Sequence, residues 1–123
     1  MQQVATLGIE AAKNLFQLHG VDAHGKIVLK KRLVRHKVLA FVAGLTPCLI
    51  GLEASGSAHY WARELTKLGH TVQLISPQFV KPYVKGNKND PNDAEALGEA
   101  VSRPHMRFVP IQSVDQQEMP ALH

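Results

Sequence analysis

The run Cys48-Leu49-Ile50-Gly51-Leu52 carries no charged side chain until it ends on Glu53. A strand that apolar has no face to give to water. Strands covered on both faces belong to parallel or mixed sheets with helices packed on either side. The rest of the chain supplies such neighbours. Val38, Leu39, Phe41 and Val42 recur at helical spacing before the run, with Gly44 as a stop. Trp61, Leu65 and Leu68 form an i, i+4, i+7 stripe after it, with Ser55 or Ser57 placed to cap that helix and Gly69 to end it. Thr71 to Ile75 reads as the next strand. Upstream, Val4 to Ile9, Leu15 to Val21 and Lys26 to Val34 read as three strands. The last two are joined by Asp22-Ala23-His24-Gly25, where Gly25 supplies a positive φ. Lys30, Lys31 and Arg32 interrupt the third strand, as on a sheet edge. Residues 76–92, with Pro77, Pro82, Gly86 and three lysines, read as a loop. Ala94 to Val101 reads as a helix, Met106 to Ile111 as extended chain, and the tail from Gln112 as the start of another helix. The expected fold is α/β: a mixed sheet, antiparallel first and parallel later, with flanking helices.

A length of 123 residues sets one domain, and 45% hydrophobic residues suffice for a single core. Fourteen Lys and Arg against ten Asp and Glu give a net charge of +4, which suits a polyanionic partner without requiring one. Cys48 is the one cysteine, so neither an intrachain disulfide nor a cysteine zinc site is expected, and its apolar setting suits a small buried side chain. The seven histidines lack ligand spacing, so no zinc is assigned. The opening residues lack a signal-peptide pattern, and no apolar run approaches the roughly 20 residues of a membrane span. We expect a cytoplasmic protein without membrane contact.

Acidic residues fall where elements end or begin. Glu10 closes the first strand, Glu53 closes the buried one, and Asp90 and Asp93 open the last helix. Sheets of this kind place ligand-binding groups beyond strand ends. Four carboxylates in one pocket repel each other unless divalent cations neutralise them. Two Mg²⁺ ions about 3.5–4 Å apart suit phosphodiester chemistry, activating one oxygen and stabilising the other. Each residue also has a structural explanation. Asp90 before Pro91 makes a helix cap, with Asp93 as an acidic first-turn residue. Glu10 suits a solvated strand end. Glu53 continues an apolar run, so it suits a buried ion pair as well as a functional carboxylate.

Lys81, Lys85 and Lys88 share the segment before the last helix, and Arg103 and Arg107 come after that helix. They suit phosphate contacts, or simply a solvated surface. Tyr60 and Trp61 have the rings to stack on bases, but Trp61 lies on the apolar stripe and suits the core.

The blocks that hold these residues resemble a known family. Leu7 to Asn14, L-G-I-E-A-A-K-N, is similar to the opening block of the bacterial DEDD insertion-sequence transposases, in which an Asp comes after L-G-I. Gly51 to Trp61 is similar to their second block, whose Glu corresponds to Glu53. Pro77 to Ala96 resembles the third, whose paired Asp residues match Asp90 and Asp93. The tail S-V-D-Q-Q is similar to the segment on the carboxy-terminal side of that domain. The resemblance implies an RNase H-like, RuvC-like fold in which Glu10, Glu53, Asp90 and Asp93 hold Mg²⁺ or Mn²⁺. It implies a catalytic domain over residues 1–111, with 112–123 opening a connector to a carboxy-terminal domain bearing a nucleophilic serine. It also implies action on DNA as a homo-oligomer guided by a structured RNA; the position of Lys81, Lys85, Lys88, Arg103 and Arg107 around the last helix makes them the expected nucleic-acid contacts. Glu10 departs from the pattern by one methylene, and Mg²⁺ tolerates displaced ligands poorly. Ser55 and Ser57 sit at a helix start and are not assigned the nucleophile's role.

The leading expectation is therefore the metal-binding catalytic domain of a DNA recombinase, inactive by itself in full transposition. The alternative is a catalytically silent remnant that binds nucleic acid or a full-length relative. A nucleotide phosphotransferase with a similar opening hairpin requires a glycine-rich phosphate loop, which Ala11-Ala12-Lys13-Asn14 does not provide.

Overall fold

The computed structural model describes residues 3–86 and 90–118, the side chains of residues 90–92 excepted. Five strands form one sheet: β1 (Thr6–Ala11), β2 (Leu15–Val21), β3 (Ile27–Val34), β4 (Leu49–Glu53) and β5 (Thr71–Ile75). Their order is β3-β2-β1-β4-β5. The first three pair antiparallel, whereas β4 joins β1, and β5 joins β4, in parallel. Helices α1 (Val38–Ala43), α2 (Ala58–Lys67), α3 (Pro77–Val80), α4 (Asp90–Val101) and α5 (Val114–Glu118) complete the fold. This is the expected α/β mixed sheet, and its arrangement agrees with an RNase H-like fold.

The hairpin between β2 and β3 forms as its turn residues dictate. Asp22 Oδ1 accepts hydrogen bonds from the backbone N–H groups of His24 and Lys26, both at 2.9 Å, and Gly25 takes φ +82°. β3 is a sheet edge, as its cations suggest.

The two faces of the sheet are built differently. On one face, Leu7, Ile9, Phe16, Leu18, Ile50 and Leu52 meet α1 and α2 in an apolar core. Trp61 is buried there, edge-on to Phe16 at 4.8 Å between ring centroids. His70 ties this layer together. Its Nδ1 accepts from the Cys48 backbone N–H at 3.1 Å, which leaves Nε2 to donate to the Val42 carbonyl at 3.0 Å. On the other face, α4 lies against β1, β2 and β4. A Cβ on Gly8 would collide with the Ala94 carbonyl, and one on Gly51 would stand 2.8 Å from the Leu97 carbonyl. Only glycine lets the helix approach this closely.

Several sequence expectations are corrected. Residues 76–92 are not simply a loop: α3, a 3-10 turn over Lys81–Tyr83, and the first turn of α4 fall within them. α4 begins at Asp90, four residues before Ala94, so Asp90 stands inside the helix and not at its cap. Ser57 occupies the position before α2 but in helical geometry, with no side-chain hydrogen bond capping the helix. Leu68 is exposed, so the apolar stripe of α2 ends at Leu65. Within 106–111, the extended chain makes one bridge, Val109 to Leu74.

Candidate carboxylate cleft

Parallel pairing of β1 and β4 sets Ile9 opposite Leu52. The next residue of each strand is a carboxylate, so Glu10 and Glu53 stand side by side; Glu53 ends β4, whereas β1 runs one residue past Glu10, to Ala11, and not only to Ile9 as its sequence suggested. Each lies two residues beyond a glycine packed under α4, and alternation puts both on the α4 face. Asp93 precedes Ala94, the residue whose carbonyl rests on Gly8. The glycine contact thus fixes the distance between helix and strand and brings the third carboxylate to the same place.

Glu10, Glu53 and Asp93 line one cleft of about 850 Å³, together with Ser76, Gln78 and Lys81. Burial raises the Glu53 carboxyl above its ordinary value of 4.5, and the negative charge of Asp93 raises it further. A buried carboxyl whose ionisation is discouraged by a neighbouring negative charge is the electrostatic mark of a place that favours positive charge. The donor set is hard carboxylate oxygen, which matches Mg²⁺ or Mn²⁺ and not soft, thiolate-preferring metals. Among the described residues, however, no three His, Cys, Asp or Glu side chains are gathered closely enough to hold an ion. The Asp90 side chain lies outside the described residues, and Asp90 stands one turn before Asp93 on the same helix.

The cations expected to meet nucleic acid fall into different settings. Lys81 is exposed at the cleft itself. Lys85 Nζ sits 3.6 Å from Glu95 of α4. Arg103 pairs with Glu99, also on α4, and its guanidinium lies over the Tyr83 ring at 5.9 Å. Arg107 is exposed, and Lys88 lies outside the described residues. Two of the five are therefore matched by carboxylates of the helix they flank.

Sequence reasoning missed the polar floor beside the cleft. Across the ladder Gln17 faces Glu10, and His19 faces Gly8; both are buried. Burial lowers the His19 pKa below its ordinary 6.5, Glu95 opposes that shift, and Lys30 and Lys85 reinforce it. The signal was present: Phe16, Leu18 and Gly20 alternate with Gln17 and His19, which marks one face of β2 as polar and the other as apolar.

Comparison with known proteins gives the family. The family described as Transposase, of the IS110 DEDD type, matches residues 7–123. A probable family 20 transposase of Pseudomonas aeruginosa is 56% identical over 120 residues, covering 98% of this chain and 36% of that protein. The transposase of insertion sequence element IS1328 from Yersinia enterocolitica is 49% identical over 123 residues, covering 100% of this chain and 37% of that protein. The transposase of element IS1111A from Coxiella burnetii is 47% identical over 122 residues, covering 99% and 34% respectively. The chain spans about a third of the length of these curated relatives. With carboxylates of β1 and β4 lining one cleft with a third on α4, and a family match over nearly its whole length, this chain belongs to the IS110 DEDD transposase family, whose amino-terminal domain it represents.

Proposed function

We propose that this chain is the metal-binding catalytic part of a DNA transposase, working in DNA transposition with a domain outside it that carries a nucleophilic serine. The observation that carries the proposal is the convergence of Glu10, Glu53 and Asp93, from three separate elements, on one cleft. Glu10, Glu53, Asp90 and Asp93 would hold Mg²⁺ or Mn²⁺, which when bound polarises a phosphodiester and stabilises the oxyanions of strand transfer. The protein's own residues set the site. Gly8 and Gly51 hold α4 at contact distance, and the sheet holds Glu10 and Glu53 in register. Lys81 presents a positive charge at the rim for a phosphate. Carboxylates that share a cleft repel until a cation lies between them, so an ion would stabilise the folded arrangement. The family resemblance extends the proposal to a homo-oligomer acting on DNA in the cytoplasm with a structured guide RNA. In keeping with a cytoplasmic protein, no helix among the described residues is long and apolar enough to cross a membrane.

Thermal unfolding with and without Mg²⁺ or Mn²⁺ tests the proposal. An ion that binds only the folded chain adds RT ln(1 + [L]/Kd), on the order of 1–3 kcal/mol at tens to a hundred times Kd. We expect a rise in Tm that Asp93→Asn abolishes. An unchanged Tm with both ions favours the second reading, a catalytically silent remnant that binds nucleic acid or a full-length relative. That reading draws on Glu10 standing where the family pattern has Asp.

A further inference from the structure

The sheet face that holds Glu10 does not end at β1. Register carries it outward residue by residue: Glu10 lies opposite Gln17, and Gln17 opposite Arg32. One pair further along, Gly8 lies opposite His19, and His19 opposite Lys30. Partners across a ladder point to the same face, so Arg32 and Lys30 share the face of the cleft. Strands stand roughly 4.8 Å apart, which sets Arg32 about 10 Å from Glu10. Lys31, between them, points the other way and lies over the Phe41 ring at 5.1 Å.

Among the described residues, Lys30 and Arg32 have no carboxylate partner, whereas Lys85 and Arg103 are each matched by a glutamate of α4. They border a cavity of about 350 Å³ with Gln17, Leu18, His19 and Lys31, the last of which turns its ammonium to the Phe41 ring. His19 is 7% exposed, and its Nε2 has no hydrogen-bond partner among the described residues. A buried ring nitrogen left unpaired is costly unless a ligand or water satisfies it. Two uncompensated cations above an unsatisfied polar floor, in register with the carboxylates, form a surface suited to a phosphate backbone.

We propose that the α4-side face of β2 and β3, through Lys30 and Arg32, holds the backbone of the DNA strand that approaches Glu10 and Glu53. The inference rests on the cleft being the catalytic site. The roughly 10 Å between Glu10 and Arg32 corresponds to about two to three nucleotides of one strand. The contact is sequence-independent, because it reads phosphates and not base edges.

Binding of the 123-residue chain to a duplex DNA oligonucleotide, measured across a salt series without divalent metal, tests it. On duplex DNA each phosphate contact contributes about −0.9 to the slope of log K against log[salt]. Lys30→Gln with Arg32→Gln should flatten the slope by about 1.8, whereas Lys30→Arg with Arg32→Lys should restore it. Lys31→Gln removes one charge from the same strand on the opposite face and should change the slope little. The proposal is overturned by an unchanged slope in the double Gln variant. It is equally overturned by an equal change in Lys31→Gln, or by a change seen only with a hairpin RNA of the same length. Metal-dependent melting of the parent and the double variant keeps the two ideas apart. A parent without a metal shift defeats the catalytic reading, while the salt slopes still decide the track.

Discussion

The two faces of the sheet meet their helices by opposite means. Toward α1 and α2, large side chains fill the space: Phe16, Leu18, Ile50 and Leu52 from the strands, Trp61 and Leu65 from α2. Toward α4, the strands present Gly8, Gly51, Gln17, His19 and Glu53, and the helix answers with Ala94, Leu97 and Gly98. The first face derives its stability from apolar area. The second gives up area to let a helix bring a carboxylate to the cleft that two others line. The contrast separates the part of the fold that holds the domain together from the part that builds the site.

Substitutions that exchange these strategies should be costly in different ways. Phe16→Ala removes a fully buried ring and its contact with Trp61, and should destabilise by about 3–5 kcal/mol, the range for large aromatic truncations. That is a large fraction of a stability of about 5–15 kcal/mol, and chemical denaturation would register it as a lower midpoint. Gly8→Ala adds one methyl against the Ala94 carbonyl and should cost about 1–3 kcal/mol by overpacking. The informative difference lies in the metal response. Phe16→Ala should keep its Mg²⁺-induced shift in Tm at temperatures where it is folded, because the α4 face is untouched. Gly8→Ala should lose the shift even where it folds, because α4 is displaced from β1. Equal metal responses in the two variants would end the division of labour between the faces.

Glu53→Gln moves stability the other way. Burial and Asp93 raise the Glu53 carboxyl above 4.5 in the folded chain. Between the unfolded value and the raised folded one, the native state holds more protons than the unfolded state. Stability contributed by this group therefore falls as pH rises through that window and stays lower above it. Glu53→Gln removes the penalty. We expect a higher Tm than the parent at neutral pH without metal, by less than the glycine effect, and a shallower decline in Tm as pH rises above the ordinary carboxyl value of 4.5. The same variant should lose its Mg²⁺ response. A parent that melts at the same temperature as Glu53→Gln in both mildly acidic and neutral buffer would show that the cleft carries no electrostatic strain.

The apolar half of the molecule was the more legible in sequence. β2 and β5 appear with the bounds expected of them, because turn signals flank β2 and Gly69 precedes β5. The buried character of β4 is written in its composition, and its closing Glu53 could be singled out without a structure. The site half was harder to read. α3 has four residues, too few for a helical period to show, although burial of Val80 gives it purpose. Asp90 and Pro91 look like a helix boundary from either side, so sequence alone starts α4 too late. That Lys30 and Arg32 share a face with Glu10 depends on pairing across three strands, and no window along one strand contains it. Lys85 likewise looked free in sequence, while Glu95 of α4 meets it in space; the Arg103–Glu99 pair, four residues apart, lay within one helical window.

The smallest expected effect lies where local sequence and structure part. Ser57 stands at the start of α2 with the residue type of a cap, and capping serines contribute about 1 kcal/mol. Its backbone is already helical, at φ −79° and ψ −17°, and no side-chain hydrogen bond caps the helix. The helix start is tied by other groups. The Ala58 N–H donates to the Ser55 carbonyl at 3.1 Å, and the Trp61 N–H to the Ser57 carbonyl at 3.3 Å. From α5, Gln117 Nε2 donates to the Gly56 carbonyl at 3.1 Å, while Arg63 of α2 reaches back to Gln117 Oε1 at 2.7 Å. Backbone bonds survive Ser57→Ala, and an exposed hydroxyl without a capping role is replaced at little cost. We expect Ser57→Ala to change stability by less than about 0.5 kcal/mol, a shift in Tm of roughly two to three degrees at most. A loss near ~1 kcal/mol would mean that the hydroxyl caps α2 in solution. The anchoring of α5 would then be secondary to an ordinary helix cap.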